Sequence, residues 1–306
     1  MSRNVMACLL ATCACASVKS RDLARYEFEQ PHMGTIARIV LYASSRQSAE
    51  SAARSAFYLI ARLDAIMSDY NETSELNRLS HTSFRWVKVS EDLFRVFAIS
   101  KRIARQSEGA FDITVGSVVR LWRRARRTGE MPASASIEEA RRRTGFEKVK
   151  LDARTRSVKL LCDGMLLDLG GIAKGYAADE ALRMIRKEGI RSAMVALGGD
   201  IALSDPPPGK RGWAIAISSI EPTKDAKMTK DTKEMETLLL SNCGVSTSGD
   251  LEQWVEIGGA RYSHIIDPRT GRAIMGRMSA TVVARSATIS DALATAACVL
   301  APERAL

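Results

Sequence analysis

Strand-like and helix-like segments follow one another in mixed order along this sequence, and this order constrains the fold more than any other feature. Tyr26 to Glu29 and Thr35 to Tyr42 alternate apolar and polar side chains around a turn at Pro31 to Gly34, which predicts a hairpin. From Gln47 to Met67, apolar residues recur at helical spacing. Regular strand–helix–strand units are absent from the pattern, so the sequence predicts an α+β fold with mainly antiparallel sheets.

The same two periodicities predict the remaining elements. Helices are predicted over Glu91 to Gln106 with Ser90 as N-cap, Ser136 to Arg143 and Gly175 to Glu188. Strands are predicted over Glu147 to Leu151, Ser157 to Leu161, Ala193 to Leu197, Trp213 to Ser218, Thr237 to Leu240, Trp254 to Ile257 and Ala280 to Ala284. Ser68 to Ser80 is predicted to be a polar loop, and the lysine-rich stretch from Glu221 to Glu234 an excursion between strands.

Residues 1–20 have the pattern of an export signal, which leaves residues 21–306 as the folded domain. Arg3 precedes an apolar run from Val5 to Ala16 that is too short to span a bilayer. Ala14-Cys15-Ala16 is a candidate cleavage site, and Leu10 to Cys13 resembles a lipoprotein box that would make Cys13 the lipidated first residue. We therefore expect an exported lipoprotein at the periplasmic face of the inner membrane, with simple cleavage and free secretion as the alternative.

Net charge and cysteine content argue against two other classes of function. The sequence carries a net charge of +10, and five arginines lie between Arg120 and Arg127. Such a run is typical of a solvated helix face, and no nucleic-acid-binding motif surrounds it, so no nucleic-acid partner is predicted. Outside the leader, Cys162, Cys243 and Cys298 lie far apart, which predicts buried thiols and no disulfide framework or cysteine metal site.

Adjacent glycines beside a lysine indicate a phosphate site in the segment from Asp168 to Tyr176. Gly170 and Gly171 let the backbone approach a bulky anion, and Lys174 supplies positive charge. The helix predicted to begin here would point its N–H groups at a phosphate. The alternative is an ordinary strand-to-helix turn.

Two further blocks combine hydroxyl and carboxylate groups. In Thr288 to Cys298, a helix would place Asp291 and Thr295 one turn apart on one face, where two hard oxygens suit Mg²⁺; alternatively, Asp291 helps Ser290 to cap the helix. The segment from Gly244 to Asp250 places hydroxyls between glycines, which suits phosphate or ribose contacts or turn chemistry. His264 precedes a predicted β-turn at Asp267 to Gly271 and is a candidate catalytic or structural histidine.

Taken in order, these blocks closely resemble the ApbE family of FAD:protein FMN transferases. The resemblance rests on MGT at Met33, LDAIMSDY ending at Tyr70, GAFDITVG from Gly109, DLGGIAKGYAAD from Asp168, LGGDI from Leu197, GVSTSG from Gly244, SHIIDPRTG from Ser263 and DALATA from Asp291. It implies an ApbE-like flavin transferase domain that binds FAD through Met33, Tyr70, Ala110, Phe111, Asp112, Asp168, Lys174 and Ile265. It also implies Mg²⁺ on Asp291, Thr295 and the Gly171 carbonyl, with His264 in catalysis. Packing roles remain the alternative for Met33, Tyr70 and Phe111.

The resemblance implies displacement at the FMN-side phosphorus of FAD by a Thr or Ser hydroxyl of a target protein, with AMP as the leaving group. His264 is the first candidate for the base, and Asp267 or Asp250 the second. The implied targets belong to redox complexes of the Rnf or Nqr kind and carry a D-x-x-[ST]-G-[AS]-T-like motif. FAD pyrophosphatase activity and non-catalytic flavin binding are the alternatives. The family pattern has a closing strand after DALATA, and this sequence ends at Leu306, so we expect an exposed sheet edge.

Overall fold

The computed structural model describes residues 23–218, 235–249, 253–300 and 302–305. The predicted export signal, the lysine-rich stretch and Asp250 lie outside these ranges. In chain order the strands are β1 (Ala24–His32), β2 (Thr35–Ala43), β3 (Val87–Lys88), β4 (Val149–Asp152), β5 (Ser157–Leu160), β6 (Ala193–Leu197), β7 (Asp200–Leu203), β8 (Trp213–Ser218), β9 (Met235–Leu240), β10 (Gly244–Gly249), β11 (Trp254–Ile257), β12 (Ala260–Asp267), β13 (Arg272–Met275) and β14 (Ser279–Ala284). The α-helices are α1 (Arg46–Met67), α2 (Glu75–Ser80), α3 (Glu91–Gln106), α4 (Gly116–Thr128), α5 (Ser134–Arg142), α6 (Ala173–Lys187), α7 (Ala287–Val299) and α8 (Pro302–Ala305).

A six-stranded sheet forms the centre of the fold. Its strand order is β1-β2-β6-β7-β10-β14, and every neighbouring pair is antiparallel. Two three-stranded sheets and the β8–β9 pair complete the described strands. Strands β1 and β14 are the edges of the large sheet. The α+β prediction with mainly antiparallel sheets is confirmed.

The main core lies between this sheet and the helices α1, α6 and α7. Alternate residues of β2 face the core, which buries Ala37, Ile39 and Leu41. On α1, the predicted apolar stripe is buried and includes Phe57 and Ile60. None of the helices in the described ranges combines the length and the apolar character that a bilayer crossing requires.

Two glycines let α7 approach its neighbours closely. A Cβ atom on Gly175 of α6 would lie 2.2 Å from the carbonyl oxygen of Ala287, and one on Gly244 of β10 would lie 2.1 Å from the Ala287 nitrogen. Side chains at either position would therefore push the helix away. This close packing holds the first turn of α7 against α6 and β10.

A smaller core joins α4 to β12 and β13. Val118, Trp122 and Ala125 of α4 are buried against Ile266 and Ala273. The Trp122 indole donates a 3.0 Å hydrogen bond to the Gly271 carbonyl. This contact fixes the arginine-rich helix against the turn that follows β12, the strand that carries His264.

Several sequence predictions need correction. The polar loop predicted from Ser68 to Ser80 ends in the short helix α2, which Ser74 caps by accepting a 3.0 Å hydrogen bond from the Asn77 amide. Gly244–Gly249 is a strand inside the large sheet and is not a turn. Helix α7 begins at Ala287 behind the cap Ser286, so the alternative in which Asp291 helps to cap it is wrong.

The cysteine predictions are confirmed only in part. Of the three cysteines outside the leader, only Cys298 is fully buried. The other two are half-buried.

Candidate active site

The glycine loop before α6 meets the middle of α7. A Cβ atom on Gly171 would lie 2.8 Å from the Thr295 hydroxyl oxygen, so this hydroxyl lies directly against the loop backbone. One turn earlier on α7, the Asp291 carboxylate accepts a 3.0 Å hydrogen bond from the Gly175 amide. The three residues predicted to hold a metal therefore come together.

Asp291 is a buried carboxyl group with other charged side chains nearby. It is 2% exposed. Burial and the neighbouring carboxylate of Asp200 raise its pKa to about 8, while the Lys174 ammonium opposes this shift. A bound cation would offset the cost of keeping Asp291 ionised here.

The available donors suit a hard cation that also uses substrate oxygens. Carboxylate, hydroxyl and carbonyl oxygens are the ligands that Mg²⁺ prefers. Among the described residues, no group of three or more His, Cys, Asp or Glu could hold a metal. A magnesium ion at Asp291, Thr295 and Gly171 would therefore need phosphate or water oxygens to complete its shell.

Lys174 lies in the first turn of α6, at the predicted phosphate loop. Its ammonium forms an ion pair with Asp200, a carboxylate that is almost fully buried. This partner fixes the position of the positive charge beside Asp291. The arrangement can stabilise negative charge on a ligand at the loop.

Hydroxyl groups of β10 face α7. The hydroxyl oxygens of Ser246 and Ser290 are 2.8 Å apart, and those of Ser248 and Thr295 are 3.3 Å apart. Strand β10 thus contacts the face of α7 that carries the predicted metal ligand Thr295. Ser248 orients Thr295, a role that its spacing in the sequence does not reveal.

His264 is a half-buried residue of β12. Its Nδ1 atom lies 3.2 Å from the Gln253 carbonyl oxygen, which can only accept a hydrogen bond. In the neutral ring this contact assigns the proton to Nδ1 and leaves Nε2 unprotonated. Burial lowers the His264 pKa, and the positive charges of Arg126 and Lys174 lower it further, against the opposing effects of Gln253 and Asp168. The ring therefore stays neutral near pH 7, as a general base requires.

The second candidate for the base has other partners. The Asp267 carboxylate accepts hydrogen bonds of 2.9, 2.9 and 3.1 Å from the backbone amide and the guanidinium of Arg269. Its carbonyl accepts a 3.3 Å bond from the Thr270 amide, as in the predicted β-turn, and a 2.8 Å bond from the Gly271 amide. These contacts favour a structural role for Asp267.

Arg123 connects three parts of the site. Its guanidinium pairs with Asp69 and, at 2.9 Å, with Asp168. The same guanidinium lies 4.4 Å from the centre of the Tyr70 ring. The other Asp168 oxygen accepts a 2.7 Å bond from the Gly170 amide. Arg123 thus ties the loop that carries Tyr70 to the glycine loop.

Arg126 lies one turn after Arg123 and is also half-buried. It makes no ion pair with any residue in the described part of the chain. Burial and the charge of Arg123 lower its pKa, while Tyr70 and Asp168 act in the opposite direction. A partly buried cation beside His264 is a candidate contact for a negatively charged ligand.

The arginine run therefore has two faces, and the prediction of a solvated helix face holds for only one of them. Arg120, Arg124 and Arg127 are exposed, whereas Arg123 and Arg126 are half-buried. Those two directly follow the buried residues Trp122 and Ala125, so they flank the buried stripe of α4. This position relative to the stripe is the signal that could have identified them.

The other residues that the resemblance implied for FAD binding differ in how far their side chains are buried. Tyr70 is 76% exposed, while Met33 is half-buried and its amide donates a 3.3 Å bond to Asp64. Ala110 and Ile265 are buried in one small cluster with Cys298. They therefore lie beside α7.

The remaining two of these residues have internal contacts. Phe111 packs in the main core. Asp112 accepts bonds of 2.9 and 2.8 Å from Thr114 and one of 2.7 Å from the Phe146 amide. The side chains of Phe111 and Asp112 thus have packing and capping roles, and a ligand would meet this segment mainly through its backbone.

The chain matches known proteins over most of its length. Residues 33–306 match the model of the ApbE family. A Vibrio cholerae protein named FAD:protein FMN transferase is 34% identical over 252 residues, which cover 81% of this chain and 73% of the relative. A Treponema pallidum protein of the same name is 32% identical over 313 residues, which cover 98% of this chain and 85% of that relative.

Solved structures show the same fold. The flavin transferase ApbE from Vibrio cholerae has a TM-score of 0.79 at 30% identity and covers 92% of this chain and 89% of its own. The flavinyl transferase ApbE from Pseudomonas stutzeri, in its apo form, has a TM-score of 0.80 at 26% identity and covers 93% and 87%. Both likenesses confirm the fold class.

Proposed function

This chain belongs to the ApbE family, a family of transferases, and on that premise we propose that it transfers FMN from FAD to a Thr or Ser hydroxyl of a target protein in a Mg²⁺-dependent reaction. The relatives named FAD:protein FMN transferase support the reaction class. The observation that carries the proposal is the meeting of the glycine loop with α7, where Thr295 contacts Gly171 and Asp291 accepts a hydrogen bond from Gly175, next to Lys174 in the chain.

Asp291, Thr295 and the Gly171 carbonyl would hold Mg²⁺, which neutralises charge on a diphosphate when bound. Lys174, held by Asp200, adds a fixed positive charge on the same side. On the side of His264, the guanidinium of Arg126 is free to contact a phosphate oxygen. We assign these two cations to binding of the FAD diphosphate.

In the proposed reaction the acceptor oxygen forms a bond to the FMN-side phosphorus of FAD. The bond from that phosphorus to the bridging oxygen breaks, and AMP leaves with the electron pair. The hydroxyl proton moves to Nε2 of His264, which the contact of Nδ1 with Gln253 leaves unprotonated. The product is a phosphoester between FMN and the target protein.

The proposed targets are subunits of Rnf- or Nqr-type redox complexes that carry a D-x-x-[ST]-G-[AS]-T-like motif. An exported lipoprotein would meet such subunits at the periplasmic face of the inner membrane.

Cys13→Ala should release the protein from the membrane fraction, while Cys8→Ala should not. Equal fractionation of both variants would contradict lipidation at Cys13.

An incubation of purified protein with FAD, Mg²⁺ and an acceptor peptide separates the candidate activities. Covalent flavin on the peptide supports the transferase, and a peptide with Ala in place of the acceptor residue must remain unlabelled. Free FMN and AMP without a labelled peptide would indicate a pyrophosphatase. Unchanged FAD would indicate a non-catalytic flavin-binding protein.

A further inference from the structure

A cavity away from the candidate active site lies between α3, α6 and the start of α7. Its volume is about 580 Å³, within the range of roughly 300–1,000 Å³ for small-molecule pockets. Arg183, which lines it, lies nine positions after Lys174 on α6. At about 100° per residue the two side chains project from opposite faces of the helix. Among the described residues that line this cavity, none is assigned above to FAD or Mg²⁺.

The lining carries an excess of positive charge. It holds five arginines and two carboxylates, namely Arg95, Arg102, Arg183, Arg186, Arg285, Asp179 and Glu180. Both carboxylates already have partners. Asp179 accepts bonds of 2.9 and 2.8 Å from the amides of Ala287 and Thr288, and Glu180 pairs with Arg183. Neither is available to neutralise the other arginines.

Three of these arginines have no carboxylate partner in the described ranges. Arg186 of α6 donates a 2.7 Å hydrogen bond to the neutral amide oxygen of Asn242. Arg102 of α3 and Arg285, just before α7, make no ion pair or side-chain hydrogen bond with any described residue. Three elements thus direct unneutralised guanidinium groups to one cavity. An anion bound in the cavity would neutralise part of this charge.

The rest of the lining is largely apolar. Ile99, Leu182, Leu203 and Ile289 contribute aliphatic surface. Tyr176 adds an aromatic ring, and its hydroxyl is engaged in a 2.8 Å bond to Asp92. An inorganic ion would leave this surface uncovered. The cavity therefore suits a ligand with an apolar body and an anionic group.

We propose that this cavity binds a small organic phosphate, with the phosphate held by Arg102, Arg186 and Arg285 and the apolar body packed against α3 and α6. The planar fork of a guanidinium matches phosphate oxygens in pairs. The binding site is separate from the flavin site and does not depend on the proposed transfer reaction.

Phenyl phosphate is a minimal probe, because it joins an aromatic ring to one phosphate. Isothermal titration should show one molecule bound per chain. The double variant Arg102→Gln/Arg285→Gln should bind it at least about tenfold more weakly. The matched double variant Arg124→Gln/Arg127→Gln removes the same charge from exposed positions on α4 and should bind like the wild type. Circular dichroism melting should show that both variants stay folded.

Two fragments of phenyl phosphate and one lipid surface test which class of ligand the cavity binds. Phenol and inorganic phosphate should each bind at least about tenfold more weakly than phenyl phosphate. Equal affinity for inorganic phosphate would overturn the assignment of an organic ligand. Absence of wild-type binding, equal loss in both double variants, or loss of binding in Arg126→Gln would overturn the site. Arginine-dependent binding to phosphatidylglycerol vesicles without phenyl phosphate binding would show a lipid surface instead.

Discussion

At the scale of single residues, the candidate site depends on charges that are partly buried next to one another. Arg123 lies between the carboxylates of Asp69 and Asp168, and Lys174 pairs with Asp200. Removing one partner of such a pair leaves an uncompensated buried charge, which destabilises a protein strongly. Changes in those pairs would mix effects on folding with effects on activity. His264, Asp291 and Arg126 offer cleaner tests.

His264→Ala should lower the single-turnover rate of flavin transfer by about 10²- to 10⁴-fold, because the incoming hydroxyl loses its base. FAD affinity should change little. Since burial lowers the His264 pKa, the wild-type rate should be level near pH 7 and fall only below the ordinary histidine value of about 6.5. The protonated ring cannot accept a proton, so the variant should lose this acid limb.

The control for this experiment is His81→Ala, which removes an exposed histidine at the end of α2. Its rate and pH profile should match the wild type. A His264→Ala protein that binds FAD weakly but reaches the normal rate at saturating FAD would rule out the base assignment.

Asp291→Asn should abolish turnover even at saturating Mg²⁺, because the charged ligand is lost and the neighbouring Asp200 carboxylate is already paired with Lys174. The amide oxygen can still accept the hydrogen bond from Gly175, so the fold should persist. Thr295→Ala should be milder, since water can replace a hydroxyl ligand, and Thr295→Ser should be close to wild type. The measurement is the initial rate as a function of Mg²⁺ concentration. Near-normal activity of Asp291→Asn would refute the metal assignment.

Arg126→Gln should raise the dissociation constant for FAD by roughly 10- to 100-fold, the change that loss of a hydrogen bond to a charged group usually causes. The melting temperature without ligand should not fall, because Arg126 has no ion pair in the described structure and lies beside Arg123. Arg124→Gln is the matched control on the exposed face of α4. If stability falls while FAD affinity stays unchanged, Arg126 has a structural role only.

At the scale of secondary-structure elements, the site depends on the close approach of α6 and α7. Gly175→Ala would place a Cβ atom 2.2 Å from the Ala287 carbonyl oxygen. Because a backbone atom cannot yield as a flexible side chain can, we expect a loss of at least about 1–3 kcal/mol in the free energy of unfolding. The displaced α7 should also weaken Mg²⁺-dependent activity. Urea unfolding measures the first effect.

The control for the glycine substitution is Gly189→Ala after α6. No atom lies within 4 Å of the added Cβ there, and only the backbone φ of +86° opposes it. We expect a cost of about 1–2 kcal/mol with unchanged activity. Activity loss in both variants alike would argue that helix spacing is irrelevant to the site.

Elements with a clear apolar period could be predicted from the sequence, and those without one could not. Helix α3 and strands β6 and β11 have the predicted bounds, because apolar periodicity and cap residues mark them. Helix α2 has only six residues, too few for a periodic signal. Strand β10 consists mainly of small polar residues between glycines, which have low strand propensity, and its neighbours β7 and β14 hold it in the sheet.

The candidate site shows the same limit. The placement of Asp291 and Thr295 one turn apart on a helix could be predicted, because it follows from their spacing in the sequence. The contacts of Arg123 with Asp69 and Asp168 could not, because they join residues 54 and 45 positions apart. Only the tertiary fold brings these groups into reach of Arg123.

At the scale of the whole molecule, two cores contribute different parts of the site. The sheet with α6 and α7 supplies the glycine loop and the proposed metal ligands, and the α4–β12 unit supplies Arg126 and His264. A small cluster of Ala110, Ile265 and Cys298 joins β12 to α7. The proposed base and the proposed metal ligands thus belong to separate structural units.

The most direct test follows each phosphorus atom of FAD into the products. FAD labelled at the FMN-side phosphorus should transfer its label to an acceptor peptide in the presence of Mg²⁺, and FAD labelled at the AMP-side phosphorus should release its label as AMP. The peptide with Ala at the acceptor position should stay unlabelled with both. Appearance of the AMP-side label in the peptide, or release of both labels without a labelled peptide, would contradict FMN transfer.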